Sequence, residues 1–105
     1  MNNKINEEKL NKLLNLYQNH DYDNLISNIK TELKDFDHPI LYNLLGAALI
    51  NKNDLMDAED NYKILTDKFP KYIDGFVNLG TVYQKMKRYD DAVNQRSTAT
   101  LDQFV

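Results

Sequence analysis

Two short runs of this chain set imidazole beside carboxylate, His20-Asp21-Tyr22-Asp23 and Asp35-Phe36-Asp37-His38, a pairing that can ligate a metal or move a proton. The spacing argues against both uses. The two histidines stand eighteen residues apart, no His-x-x-x-His pair exists, and there is no cysteine to add a thiolate. Both runs are rich in residue types that begin helices and close turns, so capping is their expected role. Other chemistry-bearing residues are no better placed. Ser27 and Ser97 are the only serines, and neither lies in a Gly-x-Ser-x-Gly elbow. No glycine-rich phosphate loop occurs. Lys85-Met86-Lys87-Arg88 is a cationic cluster suited to the C-terminal end of a helix dipole. The chain therefore reads as non-enzymatic, with no catalytic residue, metal or cofactor assigned.

Amides and phenols remain. Fourteen asparagines are scattered singly or in one pair, and each can donate and accept at once. Tyrosines 17, 42, 62, 83 and 89 could form a stacking box, but all except Tyr17 fall on packing positions of the pattern described below; Tyr17 is the candidate anchor. The net charge of −3 and pI near 5.2 leave no basic stripe to neutralise phosphates, which excludes nucleic acid as a partner. No stretch approaches the roughly 18 apolar residues of a membrane span, and the start lacks the apolar region of a secretory signal. With no cysteine, a soluble protein of the reducing cytoplasm is expected.

The elements that position these side chains follow from an internal repeat. Gly46 and Gly80 are 34 residues apart, and the same offset carries Tyr42 onto Phe76, Leu45 onto Leu79, Leu49 onto Tyr83, Asp57 onto Asp91, Ala58 onto Ala92 and Leu65 onto Ala99. A worn first copy precedes them, with Asp21-Tyr22-Asp23-Asn24-Leu25 resembling Asp54-Leu55-Met56-Asp57-Ala58. Repeats of about 6–38, 39–72 and 73–105 fill a single domain over 1–105. Each period reads as two helices. Leu55, Ala58, Tyr62, Leu65 and Phe69 step by three and four, one face of an α-helix over 55–69. Its partner spans 39–51 and begins at Pro39, where a missing N–H costs nothing. Leu10, Leu13 and Tyr17, then Tyr22, Leu25, Ile29 and Phe36, give the first pair; Phe76, Leu79, Tyr83 and Met86, then Tyr89, Ala92 and Ala99, give the third. Short links such as Lys52-Asn53-Asp54 force antiparallel hairpins. Asp54 is expected to cap the helix it precedes.

Mid-helix glycine costs about 1 kcal/mol against alanine, so Gly46 and Gly80 need a reason. Each lies twelve residues before an alanine, Ala58 or Ala92, and the pattern predicts that glycine and alanine face each other where two backbones meet. Gly75 has no such place. In the first pair Leu13 and Leu25 stand at these small positions, which predicts a looser hairpin.

At these residues the sequence resembles the tetratricopeptide repeat, a 34-residue helix-turn-helix unit. In 39–72, Tyr42, Leu45, Gly46, Leu49, Ala58, Tyr62, Leu65 and Pro70 stand where that family prefers an aromatic, Leu, Gly, Tyr, Ala, Phe or Tyr, Ala and Pro. In 73–105, Phe76, Leu79, Gly80, Tyr83, Ala92 and Ala99 match, while Arg96 and Phe104 replace an aromatic and a proline. The resemblance implies an all-α solenoid: three hairpins in a right-handed superhelical stack that binds a peptide or partner protein in a concave groove. Carried over by position, the groove is lined by Glu7, Leu10, Asn11, Leu14, Tyr17 and Gln18, by Ile40, Asn43, Leu44, Ala47, Ile50 and Asn51, and by Asp74, Val77, Asn78, Thr81, Gln84 and Lys85.

That lining separates the binding modes the family uses. A cationic clamp on a C-terminal carboxylate is not expected, since only Lys85 is positive and Leu10 and Leu14 occupy clamp positions. An asparagine ladder fits better, with Asn11 and Asn78 in place and Asn43 one residue away. Asn11, Tyr17, Asn43, Ala47, Ile50, Asn78, Thr81 and Lys85 are the expected binding residues. Two other roles stay open: the recognition arm of a larger transferase-type enzyme, such as a glycosyltransferase, or a self-assembling scaffold. Ala99, Leu101, Phe104 and Val105 leave the last repeat without a polar closing helix, as in an array that is truncated or completed by a partner, or that self-associates there.

Overall fold

The computed structural model describes residues 5–86, all of whose regular structure is helical: α1 (Glu7–Gln18), α2 (Tyr22–Leu33), α3 (Pro39–Asn51), α4 (Leu55–Lys68) and α5 (Ile73–Lys85). The predicted helix over 39–51 is α3. The one over 55–69 ends a residue early, because Pro70 drives the preceding Phe69 to an extended φ of −129° and the helix stops before it. Ala92 and the rest of the expected sixth helix lie outside the described residues, as do Arg96 and Phe104. None of the described helices is long and apolar enough to cross a membrane.

Local chemistry sets the helix ends. Asn6 and His38 have extended backbones, ψ 127° and 137°, and their side chains cap: Asn6 Oδ1 accepts from the Glu8 and Lys9 amides at 2.8 and 3.3 Å, His38 Nδ1 from the Ile40 amide at 3.2 Å. Asp54 does not cap, contrary to expectation. Its backbone sits at φ −87°, ψ 67°, which turns the carboxylate away from the first free amides, and Asp21 repeats this geometry at −88°, 66°. The two turns agree in more than that. His20 and Asn53 both adopt the left-handed conformation, at φ 60° and 63°. Their amides donate to Tyr17 and Ile50 carbonyls, and those of Asp21 and Asp54 to Leu16 and Leu49. These are the paired bonds of a Schellman-type helix end. The repeat is thus a repeat of backbone, not only of letters.

Cross-helix contacts show that successive helices run antiparallel, since partners sit at matching distances either side of each connection. Lys9 pairs with Glu32 across the first turn and Lys52 with Asp23 across the α2–α3 link. Asn61 and Tyr62 reach the Tyr42 and Asn43 carbonyls across the second turn, and Gly75 abuts Leu65 and Thr66 across the α4–α5 link. α3 packs most extensively on α4, then α4 on α5, α2 on α3 and α1 on α2. The core runs through all five, from Leu13, Leu25 and Ile29 through Leu41, Leu45, Ala48, Leu49, Ala58 and Leu65 to Leu79, Val82 and Tyr83. Phe76 is half-buried and Gly80 buried. Leu13 and Leu25, at the positions that hold glycine and alanine in the second pair, are both fully buried, so the first hairpin is filled by side chains where the second is closed by backbone approach.

Gly46 does not chiefly face Ala58, as the pattern predicted. A Cβ built on it would lie 2.2 Å from Cζ of Tyr62, the residue one helical turn beyond Ala58, so the missing side chain makes room for a ring. Tyr62 is 1% exposed and has nowhere to retreat. Gly75 gains a reason the sequence did not offer: a Cβ there would meet Leu65 Cγ at 3.1 Å and Thr66 Cγ2 at 3.3 Å, so it sets the spacing of α4 and α5.

Gly46→Ala is expected to lower stability in urea unfolding by about 1–3 kcal/mol, overpacking outweighing the gain in helix propensity. Adding Tyr62→Leu should remove much of that penalty, and strictly additive losses would show that the two positions do not press on each other. At the first turn, His20→Gly should raise stability by up to about 1 kcal/mol by relieving the left-handed conformation, and Asn53→Gly by less, since asparagine tolerates it better.

Candidate functional site

The first helices of successive pairs touch directly. Asn51 Nδ2 of α3 donates to the Tyr17 hydroxyl of α1 at 3.3 Å, and Asn78 Nδ2 of α5 donates to Asn43 Oδ1 of α3 at 2.7 Å. The partners are 34 and 35 residues apart, one period of the repeat in each case. α3 therefore touches α1 through its last residue and α5 through its second turn.

Six of the expected binding residues sit on or around these links. Asn43 and Asn78 are half-buried and bonded to each other. Tyr17 is half-buried, its ring edge-on to Tyr22 at 5.8 Å, so it braces α1 as well as offering a phenol. Ala47 is half-buried on α3 one turn from both Asn43 and Asn51, Ile50 is half-buried next to Asn51, and Thr81 is half-buried one turn along from Val77, whose carbonyl accepts from its hydroxyl at 3.2 Å. Asn11 and Lys85 stand apart. Asn11 is exposed in a shallow polar hollow of about 460 Å³ with Asn6, Glu8 and Lys12, and Lys85 is exposed in the last turn of α5. Sequence reasoning gave little weight to the apolar members of this face. Leu14, Ile73 and Val77 are 36%, 49% and 47% exposed, large side chains in water on the two flanking helices. Only Val77 falls between buried positions of its helix; Leu14 follows the single buried residue of α1, and Ile73 is the first residue of α5.

At one end of the molecule Asp37, Tyr42 and Lys68 form a polar clip that sequence reasoning missed. The Tyr42 hydroxyl donates to Asp37, and Lys68 donates to both the hydroxyl, at 3.1 Å, and the carboxylate, at 3.2 Å. It joins the α2–α3 link, the first turn of α3 and the last turn of α4. The Tyr42 hydrogen bond, aided by Lys68 against the effect of burial, holds the Asp37 carboxyl below its ordinary value of 3.8. Burial, and then donation to Asp37, pushes the Tyr42 phenol up, so it stays protonated at neutral pH. Beside the clip an open, mostly apolar cleft of about 480 Å³ is lined by Pro39, Phe69, Pro70 and Tyr72 together with Lys68 and Lys71. Among the described residues no group of histidines and carboxylates could hold a metal ion; His20 bonds the Tyr22 hydroxyl at 2.8 Å and His38 stacks on Phe36.

Compared with models of known protein families and with curated proteins, the chain matches none.

The clip carries a pH dependence with a definite sign. Asp37 is held low, so its contribution is full above the unfolded value near 3.8 and is lost as pH falls through the lower folded value. Tyr42 and Lys68 are held high, so theirs is full below 10.0 and 10.5 and is lost as pH rises through the folded values. Tyr42→Phe should cost about 1 kcal/mol at neutral pH. In thermal melts the gap between wild type and Tyr42→Phe should narrow below pH 4; a gap that stays constant would remove Asp37 from the account.

Proposed function

We propose that this chain is a protein-interaction module of the tetratricopeptide-repeat kind, taking a peptide or a segment of a partner protein in a groove along α1, α3 and α5. The observation that carries the reading is the pair of bonds between consecutive first helices, Tyr17 to Asn51 and Asn43 to Asn78, one period apart. Hairpins whose first helices line up and whose turns share one backbone geometry build an extended surface rather than a closed pocket. Of the exposed large apolar side chains, Leu14, Ile73 and Val77 stand on these first helices and Met56 and Ile64 on α4; Ile73 and Val77, one turn apart on α5, are the pair that supports a binding role for this surface.

The Asn43–Asn78 pair suits such a surface. Each amide spends one group on the other, which leaves Asn43 its Nδ2 donors and Asn78 its Oδ1 and a second N–H. Tyr17 supplies an aromatic wall at the α1 edge, with its hydroxyl fixed by Asn51.

Affinity capture from the source lysate, using Asn43→Ala/Asn78→Ala and Tyr17→Ala beside the wild type, tests the reading. Each variant should keep its helical circular dichroism and lose a captured partner by about tenfold or more. Capture unaltered in both would move binding to another face of the molecule.

A further inference from the structure

The cleft of about 480 Å³ beside the polar clip shares no residue with the groove. Its apolar lining is the rings of Pro39 and Pro70 with the half-buried Phe69 and Tyr72. Local bonds hold that lining in place. The Tyr72 amide donates to the Phe69 carbonyl at 3.0 Å, closing a turn in which Pro70 fixes φ at the second position. The Phe69 ring packs on the Tyr42 ring, centroids 6.2 Å apart, and Tyr42 is bonded in turn to Asp37 and Lys68. A wall built this way leaves little ordering to oppose binding.

The polar groups of the lining are of one kind. Its residues carry two ammoniums, Lys68 and Lys71, and one phenol, with no carboxylate, carboxamide or imidazole. Lys68 gives two of its three N–H groups to Asp37 and Tyr42 and keeps the third. Lys71 is exposed and has no ion pair among the described residues, where the Tyr72 hydroxyl likewise has no hydrogen bond. Burial, and then the nearby Asp74, pushes that phenol up, so it remains a donor. Asp74 itself is exposed and does not line the cleft. Set against Asp37, the two ammoniums leave one positive charge in excess at the cleft, in a chain whose net charge is −3.

We propose that this cleft binds a small carboxylic acid with an aryl or branched aliphatic body, its carboxylate drawn to Lys71 and the free N–H of Lys68. The size suits such a ligand, since small-molecule sites run to about 300–1,000 Å³ and are mostly apolar with a few polar groups. A carboxylate offers acceptors to two ammoniums and a phenol, and charge-assisted bonds of this sort are the stronger kind. An amine would be repelled by both lysines. Inorganic phosphate would leave the apolar walls in water. A peptide fits less well, because its backbone N–H groups would find no carboxylate or carboxamide in the lining and would be covered unpaired.

Backbone amide NMR shifts of the full 105-residue chain, followed during titration with phenylbutyrate, its carboxamide and phenylbutylamine, test this. The acid should move the Phe69, Lys71 and Tyr72 signals along a saturating curve with a Kd on the order of 1 mM, modest because the cleft is open. The carboxamide and the amine should bind about fivefold more weakly or worse. Lys71→Gln should weaken the acid about fivefold and Tyr72→Phe about twofold, both with helical circular dichroism retained, while Lys12→Gln on α1 should change nothing. Equal binding of the three probes, or acid binding indifferent to both cleft variants, would overturn the carboxylate. Shifts centred on Tyr17, Asn43 and Asn78 would overturn this site and leave the groove reading standing. A blocked peptide carrying Phe-Glu that binds about tenfold more tightly than the acid would give the cleft to a partner chain and overturn the free acid. No saturating shift up to about 20 mM acid would overturn the proposal outright.

Discussion

The approach of α4 to the bare backbone of α3 at Gly46 is the constraint on which the other contacts depend. Because no side chain stands at Gly46, the Tyr62 ring lies where a Cβ would be, its hydroxyl 3.4 Å from the Asn43 carbonyl oxygen. One residue earlier, the buried Asn61 amide donates to the Tyr42 carbonyl at 2.7 Å. Two neighbouring residues of α4 thus dock on two neighbouring carbonyls of α3, which fixes the slide between the helices as well as their separation. Burial pushes the Tyr62 phenol far up, so this contact stays neutral at physiological pH. α3 in turn packs on α2 and touches α5, so what is set at Gly46 is passed to both sides.

The connections divide into two kinds with different physical jobs. The turns within hairpins, at 19–21 and 52–54, agree in φ, ψ and hydrogen bonding because the same left-handed residue must reverse the chain in the same distance. The links between hairpins do not agree. Lys34 continues in helical conformation before the chain opens at His38, whereas Phe69 is already extended and Tyr72 begins α5 at φ −84°, ψ 89°. The polar clip of Asp37, Tyr42 and Lys68 sits at the first of these links, where backbone repetition gives no help in positioning one hairpin on the next. Asp37 and Lys68 are about half-exposed, so solvent and salt weaken their attraction. The buried part of Tyr42 is what makes the clip more than a surface pair.

The helices were legible in the sequence because their signals are local: Pro39 starts α3, Pro70 stops α4, and steps of three and four mark the buried faces of both. The close approach at Gly46 was legible as well, but its partner was not. Ala58 and Tyr62 lie one turn apart on the same face of α4, and only three-dimensional packing tells which of the two the glycine meets. Asp54 shows a different limit. Its type and position are those of a cap, yet capping depends on ψ, and ψ there is set by the reversal at Asn53. Asn43 and Asn78 were placed by repeat arithmetic on one face; that they bond to each other depends on the offset between α3 and α5, which no single helix encodes.

That bond gives the amides two roles that pull in different directions. As a tie between hairpins, the pair works best when every polar group is spent internally, as it is for the buried side chains of the described residues, none of which lacks a partner. Asn43 and Asn78 are instead half-buried and half-spent, one bond made and several groups left to water. Leucine or methionine could tie α3 to α5 by packing alone and would leave no group needing water. A paired amide beside Leu44, Ile50 and Val77 keeps the tie and leaves groups that need water, so a surface covering these side chains without offering hydrogen bonds would lose part of what their burial gains.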